Sequence, residues 1–531
     1  MSVPHLTRLA RWAVELRAED VPPDVLELAR AQLRSVLASV VAGADAAAPA
    51  RRAALSLSTR GDATVLPSGE RVAAFAAVLA NASASMAQDF DDYLFLGHTG
   101  HSSVLAPIAV GEEVDATVGE VLVAQVVANE IAGRLGAFVA LGPQNGQLWA
   151  HIHLGAAAVA AARLRGLDAE ECADALGLAF YQPPRTLWPG FMGSEAKIMT
   201  AAWPTAQGLY ASSLAAQGLD GARDLLEHPH GFGRTFAFEA LPQVLTGLGD
   251  GWVSRSTSVK PTPGCAYTTA PVEAALRAVD RQPLDPGAIR AVRIRASALT
   301  TGMESMCEAS VPSGSLAPIA INFSARRSVA VALLAGELTP GQMRGDWIGP
   351  RTEALERVLS VTTVDEDRDM TLGVLEGLGR AVPLAGLVRE VGVGRLARAG
   401  RRMSAALPGA FRRGGGLPSG DGLRSLGAVL RNAGPFALDR ARFDRLAFRF
   451  AAEVEVTRRD GRTRRARCDV PPGAAGTDPA SVVAVSREKL RAEAPSIAET
   501  LEARLADAAA PIRDLTSTLH HPEPAPRART R

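Results

Sequence analysis

The segment GAAAVAAARLRGLDAEECADALGLA, residues 155–179, predicts two helices that meet near Gly166. The first helix consists almost entirely of Ala and Gly, and small side chains let helix axes approach closely. The second helix opens with Asp168, and Glu171 follows three residues later, which is a capping-box pattern. We therefore expect a tightly packed bundle in which many helices are buried on all sides.

The same helical pattern extends back to the beginning of the chain. Apolar residues at a spacing of three to four predict one helix over about 6–16 and a second from Asp24 to Gly43, separated by an Asp-Val-Pro-Pro break. Further helices are expected near 70–88 and 117–141. The first 250 residues are thus predicted to be helical.

The pattern changes near residue 255. AIRAVRIRASA, residues 288–298, alternates apolar residues with Arg and predicts a half-exposed strand. A helix is expected over 323–336, and two strands around an Asp-Gly turn are expected within 446–469. A helical pattern returns at about 481–508. These signals predict a second, α+β domain inserted into a mainly helical protein.

The predicted domain bounds follow from these changes of pattern. Inside the second region, the segment at about 380–435 is rich in Arg and is broken by Gly and Pro, so we expect a solvated insertion. A basic helix that faces an anion or a membrane is the alternative. The expected order is a helical domain over 1–255, an α+β domain over 256–475, a return to the helical domain over 476–515 and a disordered tail over 516–531.

Composition excludes several classes of protein. The 531 residues are 47% hydrophobic and 21% charged with a net charge of +1, so disorder throughout and nucleic acid as the main partner are both disfavoured. Four Cys lie far apart without a metal-binding spacing. The first 20 residues lack an apolar leader, and the longest uncharged stretch is broken by Gly and Pro. We expect a cytoplasmic protein with no membrane partner.

Lysine is rare in this chain. Of the 57 basic residues 54 are Arg, and the only lysines are Lys197, Lys260 and Lys489. GC-rich codon usage accounts for the bias itself, but a retained ammonium marks places where a planar guanidinium does not fit. Lys489 lies in SREKLRAEA, an exposed helical pattern, and is expected to be incidental. Lys197 and Lys260 lie in segments flanked by Gly and Pro.

A cluster of acids and histidines follows the predicted helix at 70–88. The segment DFDDYLFLGHTGHSS, residues 89–103, contains three Asp together with His98 and His101. One interpretation is a surface loop with solvated acids. The functional one is a site in which Asp fixes an imidazole tautomer and His moves protons near neutral pH. A metal site is a weaker option because no ligand spacing such as HExxH occurs.

Two further histidines and two lysines are candidates. His151 and His153 open an Ala-rich helix, whose N-terminus disfavours imidazole protonation and favours an anionic ligand. Ordinary helix-entry histidines are the alternative. Lys260 lies where the chain enters the second domain and is suited to bind a carboxylate in a cleft. Lys197 lies between a Gly turn and a helix, and each lysine taken alone is also consistent with a surface charge.

Several ordered segments together resemble the MmgE/PrpD family, which includes 2-methylcitrate dehydratase, cis-aconitate decarboxylase and an iminodisuccinate epimerase. The resemblance covers about residues 1–360 and resumes at 446–508. It implies a helical domain built from both chain ends, a smaller α+β lid domain and an active site in the cleft between them. It also implies a homodimer that works without metal or organic cofactor. The segments are residues 9–43, the acid and histidine loop, 155–179, GSEAKIMTAAWPTAQG from 193, SVKPTPGCAYTT from 258 and FSARRSVAVALLAGEL from 323.

By position, the family's functional residues correspond to Asp89, His101, Lys197 and Lys260. The chain departs from the family pattern in three places. Tyr93 stands where the loop usually has Thr, Gly146 where a His is expected, and Arg327 where the lid helix has Tyr. Retained cationic residues with an altered acid/base set indicate an anionic substrate and leave room for a different reaction.

The resulting hypothesis is a cofactor-independent lyase or isomerase that acts on a small carboxylate by moving a proton beside a carboxylate or carbonyl. His101 would transfer the proton with Asp89 orienting it, and the two lysines would bind carboxylates, Lys260 also serving as a proton donor. One alternative is a family member repurposed for specialised-metabolite biosynthesis on a larger acid. Another is a non-catalytic binding protein on the same fold. The substrate-binding candidates are Arg327, Tyr93, His151, His153 and Cys265.

Overall fold

The computed structural model describes residues 3–143, 150–406 and 434–519. Helices dominate the first part of the chain, as the 3.6-residue period predicts. The capping box predicted at Asp168 is present, with its carboxylate accepting from the Glu171 backbone at 2.9 Å. The helices of this part are His5–Glu15, Pro23–Gly43, Ala48–Ser56, Ala74–Met86, Gly100–Ser103, Leu105–Glu113, Val118–Phe138, Ala150–Leu164, Ala169–Tyr181, Trp188–Gly193, Met199–Ala215 and Phe232–Phe236.

The small residues predicted to permit close packing do so. The helix Ala150–Leu164 packs between Val118–Phe138 and Met199–Ala215. At the last of these contacts, a Cβ on Gly208 would run into the backbone carbonyl of Leu154. Only glycine fits there, so the helix crossing depends on that residue.

One helix in this bundle is apolar and long enough to cross a membrane by length and composition, namely Val118–Phe138. Every residue in its apolar window is buried inside the fold. It is therefore a central helix of the bundle core.

Both ends of the chain build one hydrophobic core. Leu9 and Leu33 from the beginning share it with Leu501 and Leu515 from the end. The C-terminal helices are Pro479–Glu493, Ala498–Ala506 and Ile512–Ser517, and Pro479–Glu493 lies along Pro23–Gly43.

The second body is α+β and has its own core. Its sheet has four strands, and alternate residues of Ile289–Ala296 are buried or exposed as the sequence predicts. The first two strands in sheet order run parallel and the other neighbours run antiparallel. Ala266–Ala278 and Ala325–Ala335 contribute to the same core. The strand order is Thr362–Glu366, Ile289–Ala296, Ala452–Arg458 and Thr463–Cys468.

The remaining helices surround this sheet and return towards the bundle. A mainly helical protein with a smaller α+β part is thus confirmed. The Arg-rich insertion is described up to residue 406 and from 434, and its inner ends, Val382, Val391 and Phe436, pack into the helical core. Of the disordered tail predicted over 516–531, residues 516 and 517 instead belong to the helix Ile512–Ser517 and Leu519 is buried, while residues from 520 onward lie outside the described part of the chain. These helices are Ala298–Ser310, Pro318–Phe323, Gly345–Ile348, Thr352–Ser360, Arg368–Gly379, Leu384–Val391 and Val393–Ala406.

Candidate active site

A short strand pairing holds the acid and histidine loop against the chain crossing between the two bodies. Asp92–Tyr93 pairs antiparallel with Ser258–Val259. The next residue, Lys260, donates its backbone N–H to the Asp91 carbonyl at 3.3 Å. The pairing thereby places a lysine beside acids that lie about 170 positions earlier in the sequence.

Asp91 is the centre of the polar cluster. Its Oδ2 lies 2.7 Å from His98 Nδ1 and 3.2 Å from His101 Nε2, and its Oδ1 pairs with the Lys260 ammonium. Burial alone would raise the pKa of Asp91, but the charges of Lys260 and His98 and the histidine hydrogen bonds lower it well below its usual value. The Asp91 carboxylate therefore stays ionised although it is buried.

The two lysines converge on this cluster from separate parts of the chain, Lys197 from a helical turn and Lys260 from the end of the strand Ser258–Val259. Lys197 Nζ lies 2.5 Å from Asp89 Oδ1, and Lys260 Nζ donates to the main-chain carbonyls of Asp89 at 2.8 Å and Gly264 at 3.1 Å. Burial lowers the pKa of Lys260, but Asp91 and Asp89 outweigh it and the net shift is upward. Lys260 is thus a poor proton donor at neutral pH.

The acid that orients His101 differs from the predicted one. Asp89 was expected in that role, but its carboxylate pairs with Lys197 and Asp91 contacts the imidazole instead. The backbone explains the exchange: residues 89 and 91 would share a face in a regular strand, but Asp89 has a φ of +52° and is turned out of the extended segment. The sequence offered three Asp in four positions and no local signal to choose among them.

His98 and His101 occupy different environments. The His101 side chain is only 1% exposed and is held between Asp91 and Ser85, whose Oγ lies 2.7 Å from Nδ1. His98 is 12% exposed and lines the adjoining cavity. Because Asp91 engages Nδ1 of His98, Nε2 is the nitrogen available for proton exchange with a ligand.

Asp92 belongs to a separate buried network behind the cluster. Gln32 Nε2 donates to its Oδ2 at 2.7 Å, and Asn129 Nδ2 donates to Gln32 Oε1 at 2.7 Å. Burial and the neighbouring Asp91 charge raise the pKa of Asp92. Gly100 is required beside it, because a Cβ there would collide with the Asp92 carboxylate. This network supports the loop from the bundle side.

The cavity beside His98 has a volume of about 270 Å³ and lies between the helical and α+β bodies. Its polar side chains are Tyr93, His98, Cys265 and Tyr267. Burial raises the pKa of both phenols, and it raises that of the Cys265 thiol to about 11. All three groups are therefore protonated at neutral pH. The apolar lining includes Phe95, Trp188, Phe191, Leu299, Met303, Phe323, Val374, Phe448 and Phe450.

The helical half that carries this loop matches a known family model. Residues 7–243 match the model described as the MmgE/PrpD N-terminal domain. The N-terminal half of this chain is thus an MmgE/PrpD N-terminal domain. The family resemblance seen in the sequence is thereby confirmed.

Curated relatives of this MmgE/PrpD chain are distant. A cis-aconitate decarboxylase of Aspergillus terreus is 26% identical over 292 residues, which make up 50% of this chain and 59% of the relative. A cis-aconitate decarboxylase-like protein oryM of Aspergillus oryzae is 26% identical over 278 residues, 48% of this chain and 57% of the relative. The chain thus spans less than two thirds of the length of these relatives. The similarity supports the family without fixing the reaction.

The other residues singled out by the MmgE/PrpD resemblance are distributed around the cluster. His153 Nδ1 lies 2.9 Å from Ser102 Oγ, and its ring centroid is 5.9 Å from that of His101. His151 packs against Phe232, and burial lowers its pKa to about 3. Neither imidazole lines the cavity. Both are neutral at physiological pH, since burial also lowers the pKa of His153 well below its usual value.

Arg327 does not line the cavity in this MmgE/PrpD member. Its guanidinium lies 2.5 Å from Glu308 and donates to the Ser315 carbonyl at 2.8 Å. Its side chain thereby links the helix Ala325–Ala335 to the helix Ala298–Ser310. Gly146, the third departure from the family pattern, lies outside the described residues.

Lys489 is not the exposed, incidental lysine that its sequence predicts. It is buried, it donates to Ser35 Oγ at 2.8 Å and to the Phe90 carbonyl, and it lies 3.8 Å from the centroid of the Phe90 ring. Burial lowers its pKa to about 7. All three lysines of the chain therefore contact the segment 89–91.

No arrangement of three or more His, Cys, Asp or Glu side chains suited to hold a metal ion occurs within residues 3–143, 150–406 and 434–519. The cluster around Asp91 combines carboxylates with ammonium groups instead. Such a set favours proton transfer and charge pairing over cation binding.

Proposed function

We propose that this chain is a lyase or isomerase that moves a proton beside a carboxylate or carbonyl of an acid bound in the aromatic cavity. Dehydration, decarboxylation and epimerisation all contain such a step. One observation carries the proposal: His98 faces the cavity while its other ring nitrogen is held by the ionised Asp91. Family membership supports an enzyme of this general type.

The proposed proton carrier is His98 in place of His101. As His98 Nε2 takes a proton from the substrate carbon, the imidazolium that forms is stabilised by Asp91 at 2.7 Å. His101 and Lys260 hold Asp91 from its other sides and act as positioning residues. Lys260 keeps its proton in this scheme, which replaces its earlier assignment as a donor to the leaving group.

Negative charge that develops on the substrate needs hydrogen-bond donors. Tyr93 and Tyr267 line the cavity, and because burial raises the pKa of both, they remain neutral donors. Lys197 lies behind the cavity wall with Nζ 5.0 Å from the centroid of the Phe323 ring. We assign it an electrostatic role through that wall rather than direct contact with substrate.

A second candidate is the same chemistry on a larger acid of specialised metabolism. The aromatic lining of the cavity favours it over a compact, highly charged substrate. In both cases the reaction includes a proton transfer to or from carbon.

Solvent isotope exchange tests the proposed function. The full chain is incubated in D₂O with cis-aconitate, citrate or benzylsuccinate, and proton NMR and mass spectrometry follow deuterium entering the carbon beside a carboxylate. Enzyme-dependent exchange or conversion of at least one acid is the expected result, with protein-free incubations as the control. An acid that binds by calorimetry yet never exchanges would support a binding protein instead.

A further inference from the structure

We propose that the substrate is an amphipathic acid, with a carboxylate head at the His98 end of the cavity and an aryl or alkyl body along its aromatic walls. The inference rests on the proposed function, since it names the class of acid for the same site. It excludes a compact polycarboxylate as the preferred ligand.

Aromatic residues are concentrated at this cavity. The whole chain has 15 Phe, 6 Trp and 4 Tyr, and eight of these line the cavity. Such side chains provide apolar surface and give up little conformational entropy when a ligand packs on them. A small, highly charged acid would gain little from contact with this apolar surface. The eight residues are Tyr93, Phe95, Trp188, Phe191, Tyr267, Phe323, Phe448 and Phe450.

The charges nearby cannot neutralise a polycarboxylate. Among the described residues that line the cavity, none is Asp, Glu, Lys or Arg. Lys197 and Lys260 lie behind the wall, where each is already paired with an aspartate. The Tyr93 and Tyr267 hydroxyls can donate to one ligand carboxylate, but a second or third would be desolvated without a partner, which is strongly unfavourable.

The aromatic walls of the cavity are held together by ring contacts. Tyr93 meets Phe448 with ring centroids 4.9 Å apart, and Tyr267 meets Phe450 at 4.9 Å with an interplanar angle of 88°. These edge-to-face contacts join segments from both bodies and fix the ring orientations. An apolar cavity of about 270 Å³ favours a ligand body of matching character.

The test uses matched pairs of acids that differ only by a phenyl group. Propionate is compared with 3-phenylpropanoate, and succinate with benzylsuccinate, each titrated into the full wild-type chain by isothermal calorimetry. The phenyl group is expected to tighten binding by about tenfold or more in each pair, as burial of an aromatic side chain provides. It should also make the heat-capacity change of binding more negative.

Substitutions at two neighbouring positions test whether the phenyl group binds in this cavity. Val374 lines the cavity, whereas Leu375 on the same helix does not and is 45% exposed. V374W fills the cavity and should weaken the binding of benzylsuccinate by about tenfold or more. L375W is the matched control. Its dissociation constants for succinate and benzylsuccinate should stay within about twofold of those of the wild type.

If the phenyl group increases the affinity by less than about threefold, the proposal is overturned. It is also overturned if citrate or cis-aconitate binds as tightly as the phenyl acids. Equal weakening by V374W and L375W would also overturn it. The wild-type titrations remain decisive even where V374W does not fold. Because they measure binding without turnover, their failure is distinguishable from absent isotope exchange, which would instead refute the proposed function.

Discussion

Replacing Asp91 with Asn removes one charge from the centre of the buried cluster and changes its shape little. In the native protein that carboxylate pairs with the Lys260 ammonium and lies 2.7 Å from His98 Nδ1 and 3.2 Å from His101 Nε2. After D91N, Lys260 retains only the main-chain carbonyls of Asp89 and Gly264 as described acceptors. A buried cation is then left without its compensating charge.

The magnitude follows from that loss. Removing one partner of a buried ion pair costs about 3–5 kcal/mol, whereas an exposed pair contributes about 0–1 kcal/mol. Arg293 and Asp365 form such an exposed pair at 2.7 Å, with side chains 60% and 44% exposed. D91N should therefore lower the free energy of unfolding by several kcal/mol, and the matched control D365N by less than about 1 kcal/mol.

The pKa shifts of Asp91 and Lys260 also determine how the stability difference between wild type and D91N depends on pH. The folded pKa of Asp91 is lowered, so its contribution is complete above the unfolded value of about 3.9 and is lost as pH falls through the folded value. The folded pKa of Lys260 is raised, so its contribution is complete below about pH 10.4 and is lost as pH rises through the folded value.

Urea unfolding at pH 4, 6, 7.5 and 9 measures the difference between wild type and D91N. We expect a deficit of several kcal/mol to be present from pH 6 to 9 and to begin to shrink at pH 4. A D91N protein that unfolds within about 1 kcal/mol of wild type at pH 7.5, like D365N, would refute the charge pairing described for Asp91.

Two further stability predictions concern groups around the cluster. Because burial lowers the pKa of Lys489 to about 7, the folded protein loses this proton before the unfolded chain does. Wild type should thus gain about 1.4 kcal/mol per pH unit relative to K489M between pH 7 and 9 in urea unfolding, and a pH-independent difference would contradict this. G100A should cost about 1–3 kcal/mol in thermal unfolding because the new Cβ collides with Asp92. G400A meets open space and should change stability by less than about 1 kcal/mol; equal effects of the two variants would contradict the packing argument.

Local sequence patterns predicted most of the fold. Apolar spacing located the helices of the first half, and the Asp168 capping box marked one helix start to the residue. Alternating Arg and apolar residues identified the strand Ile289–Ala296. These signals succeed because each depends on neighbours within one element. The strand order, with Thr362–Glu366 beside Ile289–Ala296, depends on contacts across the chain and was not predicted.

The site was predicted less completely, for the same reason. The scarcity of lysine drew attention to Lys197 and Lys260, and both are buried beside the acidic loop. Lys489 was missed because it lies among the charges of SREKLRAEA, and its burial against Ser35 and Phe90 depends on contacts with distant parts of the chain. The choice between His98 and His101 depends on which ring faces the cavity. That cavity is assembled from separated segments, and no local pattern indicates it.

Isotope exchange in three single variants tests the central claim most directly. H98Q, H101Q and the exposed control H230Q are compared with wild type, using whichever acid the wild-type chain exchanges fastest in D₂O. We expect H98Q to lose about 10²–10⁴-fold in exchange rate, H101Q to lose clearly less and H230Q to be unchanged. A folded H98Q that exchanges at nearly the wild-type rate while H101Q does not would contradict the assignment and return the proton-transfer role to His101.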